Sequence, residues 1–538
     1  MTSIPSQSLK QYLESTYNYQ IVGLIDLDWL ASQPRNTLYK LFTQWHKPVF
    51  ESSERIVFYS RNSISVDMLT HIQKCASMVD ISNFFILICN SNVNSEDLEF
   101  VKKQYSTDCT VFSVLPLNFL DSADAEPVVP NPTINLPETF CFNPWTNLEI
   151  SSQGEFRPCC VFKESIKDST GRAYNINTDT LDKVYNSDYL KNLRQQFLDG
   201  QRPSECFYCW YQESLTKESN RIRYARVVGL DGHCQNIEKP SIENVLTLDI
   251  KLGNLCNFKC RICFPFHSSK FAEEQVRHFN STINLKELNS KGQWAQNPKI
   301  WEMFNALGHQ VVNIDFYGGE PFLIKQQEIF LDYLISNNHA NRVRLHYNTN
   351  GSVYPTHLFE KWKLFKHVDI AFSIDNIDTR FEFERGGEWA QVQNNLDQFL
   401  QNRLPNMTLS VYATVNAQNV YYLDQLVAWY ETKEFDNLFF NMLEEPVFLR
   451  ITTMNQELTD MVVAKLSQID STKVSKYKID HILESLKNTD CSKNCTDQMA
   501  DYMLKLDHIR DQKFESTHPE VAQIVYKKNT NIRVDQLP

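Results

Sequence analysis

The sequence predicts an α/β protein built around a partial, open (β/α)6 barrel. The first observation is a regular alternation of six strand-like segments with helical segments over residues 244–445. Such alternation is typical of parallel βα units with right-handed crossovers. The second observation is that nine of the fourteen cysteines lie between Cys141 and Cys263. Clustered cysteines in a chain without an export signal favour metal binding over disulfides.

Residues 1–125 are predicted to form a small α/β domain with a short parallel sheet. Its strands are predicted at Arg55–Tyr59, Phe84–Cys89 and Thr110–Leu115, and its helices at Val66–Met78 and Ser95–Tyr105. No glycine-rich phosphate-binding loop is found there, so the sequence assigns this domain no function. Recurrent prolines over residues 126–138 predict an irregular linker.

Residues 139–235 are predicted to form a separate cysteine-bearing region. Asn147–Ser151 and Glu155–Cys159 can pair as a hairpin around a turn that contains Gly154. Thr180–Asp199 has the pattern of one helix, and Gly200 is a typical residue to end it.

The barrel strands follow this region. They are predicted at Val245–Leu252, Val311–Tyr317, Val343–Asn348, Val368–Ile374, Leu409–Val415 and Leu438–Leu443. Between the last two, Leu423, Leu426, Val427 and Tyr430 share one helical face. Chemistry in such barrels lies at the C-terminal ends of the strands. Residues 446–538 are predicted to be mostly helical.

Composition narrows the function classes. The net charge of −12 disfavours a broad nucleic-acid surface, whose affinity depends on neutralising phosphates. Lys217, Arg221, Arg223 and Arg226 leave open a local basic site, with a solvated helix face as the alternative. The N-terminus lacks the apolar stretch of a signal peptide, and no apolar run is long enough to span a membrane. We therefore expect a cytoplasmic protein without membrane partners.

The first cysteine motif directly follows the first barrel strand. Cys256, Cys260 and Cys263 are spaced by three residues and then two. Three thiolates on one short loop can bind three irons of a [4Fe-4S] cluster and leave the fourth iron open to a ligand. A zinc site is the alternative from the spacing alone. The second strand ends in Gly318-Gly319-Glu320-Pro321, where the glycines allow backbone to approach a ligand closely.

Together the two motifs resemble the signature of the radical S-adenosylmethionine (SAM) superfamily, over about residues 244–445. The resemblance implies a radical SAM barrel in which Cys256, Cys260 and Cys263 bind a [4Fe-4S] cluster that is coordinated with exchangeable SAM. It also implies SAM contacts by Ile262, Gly318, Gly319, Glu320, Asn350, Ser373, Arg385 and Val415. Arg385 would bind the methionine carboxylate, and the alternative is an exposed ion pair with Glu382 or Glu384. Asp375, after Ser373, would be either a ligand or a helix cap.

A second set of cysteines precedes the barrel, at Cys141, Cys159, Cys206 and Cys209, with Cys160 beside the second. Four thiolates can close either a cubane cluster or a tetrahedral zinc site, and the spacing does not choose between them. The segment resembles the twitch and SPASM modules, which implies an auxiliary [4Fe-4S] cluster. These modules usually follow the barrel, whereas this one precedes it. Cys159 fits the pattern better than Cys160.

Cys491 and Cys495, four residues apart, are predicted to share one face of a helix as packing residues. A supporting ligand role is the alternative for this pair.

The resemblance implies a radical SAM enzyme that reductively cleaves SAM to a 5′-deoxyadenosyl radical and modifies a substrate, with a peptide as the candidate. It further implies a reductant such as flavodoxin or ferredoxin. Two alternatives are an iron–sulfur electron carrier without radical chemistry and a zinc-stabilised binding module. The glycine motif argues against the first of these, and the three-cysteine loop argues against the second, because structural zinc sites use four ligands.

Overall fold

The computed structural model describes residues 136–216, 219–222, 224, 237, 240–279, 281–487 and 494–527, together with three earlier strands. The chain divides into two compact units, Met1–Asn135 and Leu136–Pro538. In the first unit, strands β1 (Gln20–Asp26), β2 (Glu54–Ser60) and β3 (Phe84–Ile88) form a parallel sheet in that order.

Strands β2 and β3 confirm the predicted parallel pair. The sequence prediction missed β1, which contains a glycine at Gly23, where its register with β2 shifts. A glycine inside a strand weakens the pattern by which strands are recognised. The predicted strand Thr110–Leu115 and the predicted helices Val66–Met78 and Ser95–Tyr105 lie outside the described residues.

The second unit contains an eight-stranded sheet. Its strands are β4 (Asn147–Ile150), β5 (Phe156–Arg157), β6 (Thr247–Lys251), β7 (Asn313–Tyr317), β8 (Arg344–Thr349), β9 (His367–Ser373), β10 (Met407–Val415) and β11 (Asn437–Met442). Their order across the sheet is β11-β10-β9-β8-β7-β6-β4-β5. All neighbours are parallel except the β4–β5 pair. The predicted partial (β/α)6 barrel is confirmed by β6–β11.

The predicted hairpin is confirmed as β4 and β5, but it is not separate from the barrel sheet. Strand β4 pairs in parallel with β6, with Asn147 opposite Thr247, so the hairpin extends the sheet by two strands. All four residues of β4 are buried. The exposed edge of β6 supplies the backbone hydrogen bonds that β4 needs, and this pairing has no local sequence signal.

The helices of the described residues surround this sheet. They are α1 (Asn143–Thr146), α2 (Leu181–Tyr185), α3 (Asp188–Leu198), α4 (Phe207–Thr216), α5 (Ser269–His278), α6 (Leu285–Gly292), α7 (Pro298–Phe304), α8 (Glu328–Ser336), α9 (Phe359–Trp362), α10 (Asp378–Arg385), α11 (Trp389–Gln401), α12 (Leu423–Glu431), α13 (Gln456–Leu466), α14 (Lys476–Lys487), α15 (Thr496–Arg510), α16 (Phe514–Thr517) and α17 (Pro519–Val525). Among them, none is long and apolar enough to cross a membrane.

The helix predicted at Thr180–Asp199 is two helices, α2 and α3. The break lies at Asn186 and Ser187, because the Ser187 hydroxyl accepts a hydrogen bond from the Leu190 backbone N–H at 3.3 Å and caps α3. The predicted helical face is confirmed in α12, where Leu423, Leu426, Val427 and Tyr430 are all buried.

Candidate functional site

A cavity of about 310 Å³ opens at the C-terminal ends of the barrel strands. Its lining residues are Lys251, Cys256, Phe258, Cys260, Cys263, His267, Tyr317, Gly318, Gly319, Asn348, Asn350, Ser373 and Arg385. The structure therefore brings together all three cysteines of the first motif, the glycine pair and three of the other predicted SAM contacts. These residues come from four strand ends that are far apart in sequence.

The three cysteines lie on a loop over residues 256–263, called here the cluster loop. Burial raises the pKa of the Cys256 thiol to about 12 and also raises the pKa values of Cys260 and Cys263. Burial thus disfavours the thiolate forms, and a bound cation such as iron would stabilise them. The Asn257 amide donates to the Ser352 hydroxyl at 2.8 Å and accepts from the Asn350 amide at 3.0 Å, which ties the loop to the end of β8.

The middle of the cluster loop is held by the C-terminal helices. Arg261 is completely buried, and its Nη2 donates to Asp507 at 2.8 Å and to Gln512 at 2.9 Å. Its Nε donates to the Phe383 carbonyl at 3.1 Å, and the guanidinium carbon lies 3.5 Å from the centre of the Phe383 ring. The Tyr502 hydroxyl donates to the Arg261 carbonyl at 2.6 Å. Helices α15 and α10 thus orient the residue between two candidate iron ligands.

Arg385 lies at the end of α10 and is buried, so the exposed-turn alternative is wrong. Its Nη1 forms a short ion pair with Asp375 rather than with Glu382 or Glu384. The other Asp375 carboxylate oxygen accepts from the Thr414 backbone N–H at 2.7 Å, so Asp375 is not a helix cap. Among the described residues, the Arg385 Nε has no hydrogen-bond partner, and the side chain lines the cavity. An anionic group such as a carboxylate would satisfy it.

The glycine motif shapes the cavity through its backbone. Gly318 and Gly319 have positive φ angles of 78° and 59°, and a Cβ on Gly319 would lie 2.4 Å from the Leu255 carbonyl oxygen. No other residue fits there without moving the cluster loop. Glu320 is fully buried and does not belong to the cavity lining. Its carboxylate accepts from the Thr349 hydroxyl at 2.7 Å and from the Asn350 backbone N–H at 2.8 Å, so it braces the end of β8.

The remaining predicted contacts divide into two groups. Asn350 and Ser373 line the cavity, whereas Ile262 and Val415 do not, and Val415 is fully buried in the core. Sequence reasoning missed Lys251, Phe258, His267, Tyr317 and Asn348. Lys251, Tyr317 and Asn348 could have been found from strand periodicity, because each ends the polar face of a barrel strand. His267, four residues past Cys263, has no such signal.

The four upstream cysteines also come together. The thiol of Cys159 lies within electrostatic reach of its neighbour Cys160 and of Cys141 and Cys206, and that of Cys141 lies within reach of Cys209. Cys160 instead has Asp249, Lys251, Glu149 and Asp315 as its charged neighbours. Both residues lie in the turn that follows β5, where their side chains have different charged neighbours, so Cys159 is the candidate member of the set.

Two further predictions about this region can be compared with the structure. Gly154 has a φ of 77°, and a Cβ there would lie 3.0 Å from Asn175 Oδ1, so the hairpin turn requires glycine. Arg221 forms neither a basic surface nor a solvated helix face, because it is buried and pairs with Glu213 at 2.7 Å. Its Nη1 also donates to the Phe140 carbonyl at 2.7 Å, next to Cys141. Lys217, Arg223 and Arg226 lie outside the residues whose side chains are described.

Cys495 does not lie on a helix face as predicted. It occupies the N-cap position of α15, and its backbone N–H donates to the Thr453 carbonyl at 2.9 Å. Cys491 lies outside the described residues.

The residues present fit two iron–sulfur clusters by their chemistry. The cluster loop offers three partly buried thiols, and the upstream set offers three buried thiols and the partly buried Cys206. Beside the cluster loop, the buried Arg385 Nε has no partner among the described residues. In the described part of the chain, no group of three or more His, Cys, Asp or Glu residues is placed to hold a single metal ion. A [4Fe-4S] cluster does not need its ligands to converge on one point. Each thiolate binds a different iron, so the cysteines are spaced around the cluster.

Comparison with protein families identifies two domains. Residues 250–429 match the radical SAM superfamily, and residues 141–210 match SPASM, an iron–sulfur cluster-binding domain. The auxiliary domain therefore precedes the core, as the sequence predicted. No curated protein matches the chain significantly.

Three solved structures illustrate the similarity. AdoMet-bound anSMEcpe is 16% identical, with 41% of this chain and 58% of that chain covered, at a TM-score of 0.30. Streptococcus suis SuiB bound to S-adenosylmethionine is 15% identical, with 56% and 68% covered, at 0.28. TYW1 with a lysine-pyruvate adduct is 16% identical, with 52% and 87% covered, at 0.24. The chain thus spans less than two thirds of the length of anSMEcpe.

Proposed function

We propose that this chain is an enzyme that reductively cleaves SAM and modifies a peptide. The premise is its radical SAM domain, with a SPASM iron–sulfur domain ahead of it. The observation that supports this proposal is the shared cavity of the three thiols, the glycine pair and Arg385. A cluster at Cys256, Cys260 and Cys263 with SAM bound would supply a 5′-deoxyadenosyl radical that abstracts hydrogen from the substrate.

The chain's own residues would bind and orient SAM. Arg385, whose Nε has no partner within the described part of the chain, would bind the methionine carboxylate. Asp375 would hold the guanidinium in place through its ion pair with Nη1. The backbone of Gly318 and Gly319 would accept the methionine ammonium group. Ser373 and Asn350 line the same cavity and would provide further polar contacts. Glu320 would act indirectly by fixing the backbone of Asn350.

The auxiliary site would carry electrons rather than bind substrate. Cys141, Cys159, Cys206 and Cys209 would supply four thiolates, which leaves no iron of a cubane open. We further propose that the auxiliary region spans residues 139–235, the core 244–445 and a helical C-terminal region 446–538, after a linker at 126–138 and a domain of unknown role at 1–125. A cytoplasmic location and a reductant such as flavodoxin or ferredoxin complete this proposal.

The test is product formation under reducing conditions. Anaerobically reconstituted protein with dithionite and SAM should release 5′-deoxyadenosine, detected by liquid chromatography and mass spectrometry. Cys256→Ser should abolish this product, and Cys495→Ser, outside both cysteine sets, should form it at the wild-type rate. No product from wild-type protein whose cluster is spectroscopically intact would contradict the proposal and favour an iron–sulfur electron carrier.

A further inference from the structure

The inner face of the barrel sheet is polar. Side chains alternate between the two faces of a strand. On β6 and β7, Leu248 and Ile314 pack in the hydrophobic core, whereas Lys251 and Tyr317 line the cavity. Residues an even number of positions before Lys251 and Tyr317 therefore face the same interior as the cavity. This interior is the space into which a substrate would enter from the cavity.

One row across this face is rich in carboxylates. Glu149, Asp249, Asp315, His346 and Asp369 are successive Cα partners on β4, β6, β7, β8 and β9, and are called here the acidic row. Adjacent strands lie about 4.8 Å apart, so neighbouring members of the row can share a ligand. The row lies two residues, or about 6.6 Å, below the strand ends that line the cavity.

The outer carboxylates of the acidic row already have cationic partners. Glu149 pairs with Lys251 at 2.8 Å and lies 3.7 Å from Arg157, and Asp369 pairs with His346 at 2.6 Å. Asp249 and Asp315, in the middle, have no ion pair within the described residues. Asp315 accepts from the Asn313 amide at 2.9 Å. The Asp249 carboxylate accepts a hydrogen bond from the Tyr317 hydroxyl. Its Oδ1 has no partner among the described residues, although Asp249 is only 5% exposed.

The surroundings of these two carboxylates oppose their negative charge. Burial raises the pKa of Asp249 to about 8, with Glu149 and Asp315 adding repulsion and Lys251 opposing it. Burial also raises the pKa of Asp315, against the attraction of His346 and Arg344. Lys251, His346 and Arg344 attract these two carboxylates, but within the described residues none of them forms an ion pair with either one. A bound cation would supply this missing partner.

We propose that Asp249 and Asp315 bind a positively charged group of the substrate, namely a primary ammonium or a guanidinium. The inference rests on the proposed function, and it assigns a lysine or arginine side chain to the modified peptide. Either group would donate to the unpartnered Asp249 Oδ1 and span to Asp315 on the next strand. Lys251 and Tyr317 connect the row with the cavity, so a cation held there would leave neighbouring substrate carbons near the strand ends.

The test uses three matched probes with the reconstituted full-length protein in the absence of SAM. N-acetyl-lysine amide and N-acetyl-arginine amide carry the two cationic groups, and N-acetyl-norleucine amide is the uncharged control. At ten times its Kd, a bound probe should raise the Tm by about 2 °C. We expect this shift from at least one cationic probe and none from norleucine. Comparison of the two cationic probes distinguishes ammonium from guanidinium.

A variant pair links the shift to the acidic row. Asp249→Asn combined with Asp315→Asn should lose the shift, whereas Asp332→Asn, an exposed carboxylate of α8, should keep it. The proposal is overturned if neither cationic probe shifts the Tm, if norleucine shifts it equally, or if the double variant responds like wild type. Should the double variant not fold, the wild-type comparison of probes decides alone. Because probe binding needs no radical chemistry, failure to form 5′-deoxyadenosine counts against the proposed function and not against this site.

Discussion

The contact between Arg261 and the C-terminal helices gives the most direct test of how the cluster loop is held. Arg261→Met keeps most of the apolar stem but removes the donors to Asp507, Gln512 and the Phe383 carbonyl. The guanidinium is fully buried, and the Asp507 side chain is only 12% exposed. Removal of one partner from a buried ion pair costs about 3–5 kcal/mol, because the remaining charge stays buried without compensation.

A loss of this size is large compared with the total stability of a protein, which is typically about 5–15 kcal/mol. We therefore expect Arg261→Met to reduce the free energy of unfolding by about 3–5 kcal/mol in a guanidinium chloride titration. Arg261 separates Cys260 from Ile262 in the chain. The variant should consequently also lose the iron of the cluster loop, about four atoms per chain, and keep the auxiliary iron.

A double-mutant cycle separates the ion pair from other effects of the substitution. Asp507→Asn keeps a side chain of the same size without the charge. The double variant should be more stable than the sum of the single changes predicts, by about 1.5–3 kcal/mol. Lys291→Met, which removes an exposed pair with Glu287, should leave stability unchanged within error. Additive single costs, or wild-type iron content in Arg261→Met, would refute the role assigned to this contact.

The remaining predictions concern iron content and pH. Wild-type protein should hold about eight irons, and replacement of the three cluster-loop cysteines by alanine should leave about four by colorimetric assay. Cys159→Ser should lose the auxiliary iron and Cys160→Ser should keep it, and the reverse result would exchange their roles. Burial raises the pKa of Glu384 to about 8, so the folded protein favours the protonated carboxyl. The contribution of this group to the free energy of unfolding is therefore full below pH ~4.3 and is lost as the pH rises towards 8. Glu384→Gln should remove a decline of up to about 1.4 kcal/mol per pH unit between pH ~6.5 and 8, measured by denaturant titration. Buried His518 has a lowered pKa, so its titration changes stability only below this pH range. Parallel curves of unfolding free energy against pH for wild type and Glu384→Gln would contradict the prediction.

The partial barrel, the cluster-loop cysteines and the glycine motif could be predicted from the sequence because their signals are local. The upstream cysteines, spread from Cys141 to Cys209, were assigned to a cluster only through the family resemblance. Each barrel strand is marked by apolar periodicity within one short segment. Cys256, Cys260 and Cys263 lie on one loop, and Gly318 and Gly319 end the next strand. Such patterns depend only on backbone geometry over a few consecutive residues, so they can be recognised without knowing the rest of the fold.

Only the tertiary structure decided which partners these residues have. The pairing of β4 with β6 joins segments a hundred residues apart, with Asn147 opposite Thr247. Arg385 pairs with Asp375, and Arg261 reaches Asp507, which lies 246 residues later. The different charged neighbours of Cys159 and Cys160 depend on the conformation of the turn that follows β5. Long-range contacts of this kind follow from how the elements pack, and the local sequence carries no periodic signal for them.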